Sequence, residues 1–330
     1  MVVILKENTT KKQKDDLVSW FEGQGLKVHE SEGEYKTILG LVGDVDGVDK
    51  DMLEMLDIVD RVTRISEPYK HANRKFHPKD TVVTVGDTGV KIGGDHFAVI
   101  AGPVLADTEE ELTTLAGELK EAGADILMGA FGERSTVSPR DDETGGVERL
   151  VKAGKAAGMP VVAELLGLDQ LRYFSDVDVI EVGQRNMQNY EMLRELGCAG
   201  KPVVLRRGMA NTLEELLLSA ERILEAGNPD VILCERGIRT FEQYTRSTFD
   251  VSAIPVLHQR SHLPVIADPS SALGNAKLVR PVADAAAAAG ADGLVIEAAQ
   301  DPKKARIGGA ACVDPETFRE IMEDIEVFIP

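Results

Sequence analysis

The sequence predicts an α/β protein: a (β/α)8 TIM barrel preceded by a ferredoxin-like βαββαβ domain. Three observations carry this reading. Eight short β-rich runs recur about every 20 to 35 residues after His96, helix-period segments separate them, and the first 66 residues follow a different order of elements.

Residues 1–66 open with "VVILK", an apolar strand. An amphipathic stretch from Lys11 to Gln24, the strands "LKVHE" and "YKTILGLVG", a short helix near Met52 to Leu56 and the strand "VDRVTRI" complete the βαββαβ order. Modules of this kind bind effectors, pair sheets between subunits or serve as packing appendages, and the fold alone leaves these open. Residues 67–95 read as a polar linker, "EPYKHANRKFHPKD", followed by "TVVTVGDTGVKIGG", whose Gly-Asp and later glycines suggest a hairpin.

Residues 96–330 form the third segment. The runs "FAVIAGP", "ADILMGAF", "MPVVAEL", "VDVIEVG", "PVVLRRG", "VILCERG", "LPVIADP" and "DGLVIEA" are apolar enough to need cover on both faces, as parallel strands wrapped by helices do. No G-x-G-x-x-G follows the first strand and no Walker loop is present, which argues against the nucleotide-binding open sheets.

The chain carries 37 Lys and Arg against 56 Asp and Glu, a formal charge of −19, without an evident basic patch. Binding to nucleic acid or to an anionic membrane is therefore not expected, and an anionic ligand must be held by a few placed arginines. No apolar run reaches membrane-spanning length, and "MVVILKENTTKK" lacks the features of a signal peptide, so a cytoplasmic location is expected. Cys198, Cys234 and Cys312 lie far apart with no zinc-type spacing and are expected to be reduced thiols.

In a barrel the chemistry sits where strands end. Those tips supply Arg134, Glu164, Arg185, Arg206, Arg207, Glu235, Arg236, Asp268, Ser270, Ser271 and Glu297. Arginines ending successive strands converge on one mouth, and guanidinium groups match phosphate and carboxylate oxygens, so a phosphorylated, carboxylated ligand is expected. The competing reading pairs these arginines with Glu164, Glu235, Asp268 and Glu297 as ion pairs that lock the barrel top.

The blocks "GQRNMQN", "LRRGMANTLEELLLSAE", "ILCERGIRTFE", "SAIPV", "SHLPVIADPS" and "GADGLVIEA", with the linker "FHPKDTVV", resemble the 3-deoxy-D-arabino-heptulosonate 7-phosphate (DAHP) synthase family. The type with a ferredoxin-like extension is the nearest match, and the likeness spans essentially the whole chain. It implies condensation of phosphoenolpyruvate with erythrose 4-phosphate, assisted by a divalent metal, as the first step of the shikimate pathway. It implies Arg185, Arg206 and Arg236 as the enolpyruvate clamp, with Arg206 where the family has lysine, and Arg134, Ser135 and Thr136 as the sugar-phosphate grip.

The departures from that family are specific. Its metal ligands are a cysteine, a histidine, a glutamate and an aspartate, where this chain has Val104, Ser271, Glu297 and, with the last loop aligned without gaps, Gly308. A lysine expected to touch both substrates is Gly132, an arginine five positions earlier is Leu127, and the following loop is replaced by "VSPRDDETGG", whose Asp141, Asp142 and Glu143 would repel a sugar phosphate. One carboxylate does not hold a transition metal tightly.

The expectation is thus a diverged, metal-independent enzyme without cofactors. It would act on phosphoenolpyruvate or a similar anionic metabolite by C–C bond formation, lyase chemistry or rearrangement rather than by ordinary DAHP synthesis. Glu297, Glu164 and Asp268 are the candidate acids and bases, their pKa values raised by a partly dry mouth. Ser271 joins the arginines as a binding residue. The alternatives are a non-catalytic regulatory or assembly paralogue and a metal-free DAHP synthase. The resemblance also implies a homodimer or homotetramer. His258 and His262 are expected to be structural, Glu235 to orient Arg236, and Met128, Met187 and Met209 to fill the core.

Overall fold

The computed structural model describes residues 1–32, 36–43, 45, 47–63, 68–104, 108–129, 143–305 and 308–329. They divide into two compact units: Met1–Asp80 with Gln259–His262, and Thr81–His258 with Leu263–Pro330.

The first unit holds β1 (Val2–Leu5), α1 (Lys11–Gly23), β2 (Lys27–Glu32), β3 (Thr37–Val42), α2 (Lys50–Glu54) and β4 (Val59–Thr63). The strands form an antiparallel sheet in the order β2-β3-β1-β4, the ferredoxin-like arrangement. Helix α1 starts at Thr10 because that side chain accepts from the Gln13 N–H while Gln13 reaches back to the Thr10 backbone, a reciprocal cap. Its buried Leu17 and Phe21 pack with Val3, Leu5, Leu39, Leu41 and Val62 into one core. Within this unit the His262 ring meets the His71 carbonyl at 2.7 Å.

The second unit opens with a hairpin, β5 (Val83–Val85) paired to β6 (Val90–Ile92). Eight parallel strands follow and close a barrel: β7 (Ala98–Gly102), β8 (Ile126–Gly129), β9 (Val161–Glu164), β10 (Val179–Val182), β11 (Val203–Arg206), β12 (Val231–Glu235), β13 (Val265–Ala267) and β14 (Gly293–Glu297). Closure is made by β14 against β7, in register from Gly293↔Ala98 to Glu297↔Gly102. All eight runs singled out in the sequence are barrel strands.

Helices α3 (Glu109–Glu121), α4 (Glu143–Ala157), α5 (Tyr190–Cys198), α6 (Leu213–Glu225), α7 (Ala253–Arg260), α8 (Pro269–Leu273), α9 (Ala276–Ala288) and α10 (Pro315–Ile325) connect or follow the strands. Between β9 and β10 the short segment 165–178 makes only a 3-10 turn at Leu168–Tyr173. No helix among the described residues is long and apolar enough to cross a membrane.

The hairpin residues Val83, Val85 and Ile92 belong to the same buried cluster as the inward strand residues Ile100, Val162, Val204, Ile232, Ile266 and Val295. It meets the barrel where strands begin, with Gly86 against Asp178 before β10 and Gly93 against Pro264 before β13. That end is therefore plugged, and the chemistry is left to the opposite end.

Candidate functional site

Side chains of a strand alternate between faces, so the residue two beyond an inward core residue also points inward, one layer nearer the mouth. Here that step converts oil to charge. Val162 is followed by Glu164, Val179 by Glu181, Val204 by Arg206, Cys234 by Arg236, Ile266 by Asp268 and Val295 by Glu297. The six charged residues are all buried. Five were expected from the sequence; Glu181 was passed over, although a carboxylate set between the apolar residues of "VIEV" was the signal for it.

A cavity of about 450 Å³ opens over this layer. Glu164, Glu181, Arg206, Arg236, Ser271 and Glu297 line its floor, and Val104, Gly183, Gln184, Arg185, Met209, Arg239, Arg246 and Gly308 its sides and rim. The barrel thus brings together Arg185, Arg206, Arg236, Ser271, Glu164 and Glu297. Asp268 lies beneath, with no exposed surface. Arg134, Ser135 and Thr136 fall outside the described residues, as do Gly132, Asp141 and Asp142.

The three clamp arginines differ in their environments. Arg206 is bound by two carboxylates, with Nη2 2.8 Å from Glu181 Oε2 and Nη1 donating to Asp268 Oδ2. Burial opposes its charge, but Glu181 and Asp268 together raise the guanidinium pKa. Arg236 donates from Nη1 to Gln184 Oε1 at 2.8 Å and from Nη2 to the Ser271 carbonyl at 3.3 Å. Arg185 is half exposed, with Nη2 3.8 Å from Glu164 Oε1. The lock expected as an alternative therefore holds for Arg206, whereas Arg236 and Arg185 face the cavity.

Asp268 departs from the raised pKa expected of a mouth carboxylate. Burial pushes its pKa up, yet Arg206, Arg236 and the hydrogen bonds from Ser271 outweigh burial and hold it below the usual value. It also caps α8, accepting from the Ser271 N–H at 2.8 Å. Glu235 likewise differs: it pairs with Arg207 at 2.8 Å and accepts from the Gly237 N–H at 2.7 Å. Arg207 also binds Asp250 at 2.9 Å, so this pair ties the β12–α7 loop to β11 and leaves Arg236 to other partners. Burial raises the pKa of Glu235, with Arg207 pulling against it.

The four positions that the resemblance assigns to metal ligands do converge. Ser271 Oγ donates to Glu297 Oε1 at 2.9 Å, and Ser270 Oγ accepts from the Glu297 N–H at 3.0 Å. A Cβ at Gly308 would lie 2.6 Å from Val104 Cγ2 and 3.6 Å from Glu297 Oε2, which places the last loop where the gap-free alignment put it. The donor set is one carboxylate and one hydroxyl, the other two positions offering a methyl group and no side chain. That set does not fit a tightly held transition metal.

The remaining expectations resolve simply. Met128 and Met187 are buried, but Met209 is a cavity wall rather than core. His258 bonds the Gly290 carbonyl at 3.0 Å and faces Asp292, a structural role. All three cysteines are free, Cys234 and Cys312 buried and Cys198 exposed. Arg239 and Arg246 were missed, because loop residues carry no periodic signal.

Comparison with known proteins follows this geometry. The DAHP synthetase I family profile matches residues 74–329, and the DAHP synthase ferredoxin-like domain profile matches residues 1–67. A phospho-2-dehydro-3-deoxyheptonate aldolase of Thermotoga maritima is 42% identical over 329 residues, covering 99% of this chain and 97% of that protein. The crystal structure of a T. maritima enzyme of that name, also called DAHP synthase, aligns with a TM-score of 0.77 at 42% identity over 99% of this chain and 96% of its own. A 2-dehydro-3-deoxyphosphooctonate aldolase of Syntrophobacter fumaroxidans is 24% identical over 258 residues, covering 72% of this chain and 88% of that protein.

Proposed function

The chain belongs to the DAHP synthetase I family, and on that premise we propose that it is an aldolase-type enzyme that adds phosphoenolpyruvate to an aldehyde at the barrel mouth. The observation that carries this reading is the cavity itself, floored by inward strand-tip charges and walled by arginines. The loss of metal-ligand positions argued against ordinary DAHP synthesis. The identity of the whole chain to a relative named for that reaction supports erythrose 4-phosphate as the first acceptor to test.

In this reading Arg236 and Arg185 hold the anionic groups of phosphoenolpyruvate. Its C3 attacks the aldehyde carbon, water adds at C2, and the C–O bond to phosphate breaks as phosphate departs. The water gives up both protons as its oxygen becomes the ketone at C2: one ends on the new alkoxide, and the other leaves with the departing phosphate. Glu297, oriented by the Ser271 hydroxyl and the Ser270 side chain, is the group we assign to that transfer. Glu164, 3.8 Å from Arg185, is the second candidate. Asp268, engaged by Arg206, serves as a charge partner. No step is routed through a metal, because the donor set does not fit one.

A second reading is favoured by one observation. Arg206, where the family has lysine, is occupied by Glu181 and Asp268, which suits a binding or regulatory paralogue in which the catalytic cation is neutralised. The deciding experiment follows phosphoenolpyruvate consumption by ultraviolet absorbance with erythrose 4-phosphate and a panel of other aldehydes, in chelator and then in manganese. Turnover in chelator supports the metal-free aldolase. Turnover that requires manganese overturns the metal-free part, and no consumption with any aldehyde favours the paralogue.

A further inference from the structure

The arginines that reach the cavity are not equivalent. Arg206, Arg236 and Arg185 each have partners, whereas Arg239 and Arg246 line the same cavity and carry no ion pair among the described residues. The chain has 56 acidic residues against 37 basic ones, so an exposed arginine readily finds a carboxylate. Two that face a cavity and pair with no carboxylate among the described residues are poised for an anion from solution.

Their loop is built rather than slack. Ile238 and Thr248 exchange backbone hydrogen bonds of 2.9 Å, closing its stem, and the two threonine hydroxyls at 240 and 248 meet at 2.6 Å. The Arg239 N–H donates to the Met209 carbonyl at 2.8 Å, and the Arg246 and Ser247 N–H groups donate to the Leu273 and Ala272 carbonyls of α8. The Arg246 side chain lies across Gly274, where an added Cβ would stand 3.0 Å from Nε and 3.2 Å from Cζ. Gly274 ends α8 in the left-handed conformation, so the same residue that terminates the helix leaves room for the guanidinium. Both arginines are thus anchored through their backbone before any ligand arrives, which lowers the ordering cost of binding.

We propose that Arg239 and Arg246 form a phosphate monoester subsite at the rim of the cavity. The subsite rests on the function proposed above for the identity of its ligand, since both phosphoenolpyruvate and an aldose phosphate carry that group. Two guanidinium groups match the three oxygens of a phosphate dianion, and a rim position keeps the phosphate near water while the reacting carbons reach the floor.

The test is isothermal titration of the full chain and of the R239A/R246A and R239K/R246K variants with phosphoenolpyruvate and with erythrose 4-phosphate, using erythrose as the uncharged control. The expected result is a loss of roughly 100-fold for one phosphate ester in R239A/R246A, with substantial recovery in R239K/R246K and no change for erythrose. The ester that loses affinity identifies which phosphate occupies the subsite. Unchanged affinity for both esters overturns the proposal. If the native chain binds neither ester, the function proposed above fails, and inorganic phosphate becomes the probe: 31P line broadening that disappears in R239A/R246A sustains the subsite, while broadening that persists, or is absent from the native chain, overturns it. Unfolding midpoints of the variants control for misfolding.

Discussion

Replacing Arg206 with methionine separates a structural lock from a free anion clamp. Arg206 is 3% exposed, and its partners Glu181 and Asp268 are 5% and 0% exposed. Methionine refills most of the volume of the apolar stem, so the cavity contribution is small. Two buried carboxylates then lose their shared cation, and removing one partner of a buried ion pair costs about 3–5 kcal/mol. For a unit the size of this barrel that corresponds to a fall in unfolding midpoint on the order of 10 °C.

The pH dependence gives the prediction its sign. In the native chain Asp268 has a depressed pKa, so its contribution is present above the unfolded carboxylate value and is lost as pH falls through the folded one. Without Arg206 the upward push of burial is less opposed and the folded pKa moves up. The penalty is then full above that raised value and is relieved as the carboxyl takes up a proton. The gap between native and R206M midpoints is therefore widest near pH 7.5 and narrows toward pH 5. Circular dichroism melts at the two values read it, and adding D268N to R206M is expected to restore part of the loss. A midpoint within about 2 °C of native at pH 7.5, together with weakened phosphoenolpyruvate binding, would refute the lock and make Arg206 a free clamp.

Other outcomes follow from the same geometry. Arg236→Ala is expected to weaken phosphoenolpyruvate binding by roughly 10- to 100-fold with little change in melting, as titration will show. Gly308→Asp alone should destabilise the barrel, because a Cβ there meets Val104 at 2.6 Å. The triple change V104C/S271H/G308D should instead bind about one manganese or zinc ion per chain by elemental analysis, where the native protein is expected to retain none after dialysis. His262 is held near a pKa of about 4, mainly by burial. Its neutral form is favoured in the folded state, so stability is expected to fall from about pH 6.5 toward pH 4, by up to about 3 kcal/mol, and His262→Gln should flatten that slope in pH-dependent melts.

Much of this molecule was legible in one dimension. The recurrence of eight apolar runs between helix-period segments gave the eight barrel strands, and the different order of elements before them gave the ferredoxin-like sheet. Because parallel strands share a direction, the residue ending each run was already known to face the mouth. Glu164, Arg206, Arg236, Asp268 and Glu297 needed nothing more. The convergence of Val104, Ser271 and Glu297 likewise follows from where β7, β13 and β14 end, whereas Gly308, named through the family resemblance, is brought beside them by the loop after β14.

Pairing was a different matter, because it depends on which tips become neighbours across a closed barrel. Arg206 meets Asp268 across 62 positions of sequence, and Glu181 from the adjacent strand completes the set. Two nearby carboxylates turn a presumed clamp into a lock, while Arg206, Arg236 and the hydrogen bonds from Ser271 hold ionised, against burial, an aspartate that sequence alone cast as an acid or base. Arg239 and Arg246 lie in a loop with no period to read, and only its hydrogen bonds to α8 and Met209 bring them to the cavity. Local periodicity therefore determined the scaffold and the residues at its mouth, while the closure of the barrel, through burial and proximity in space, decided which charges were already spent and which stayed available to a ligand.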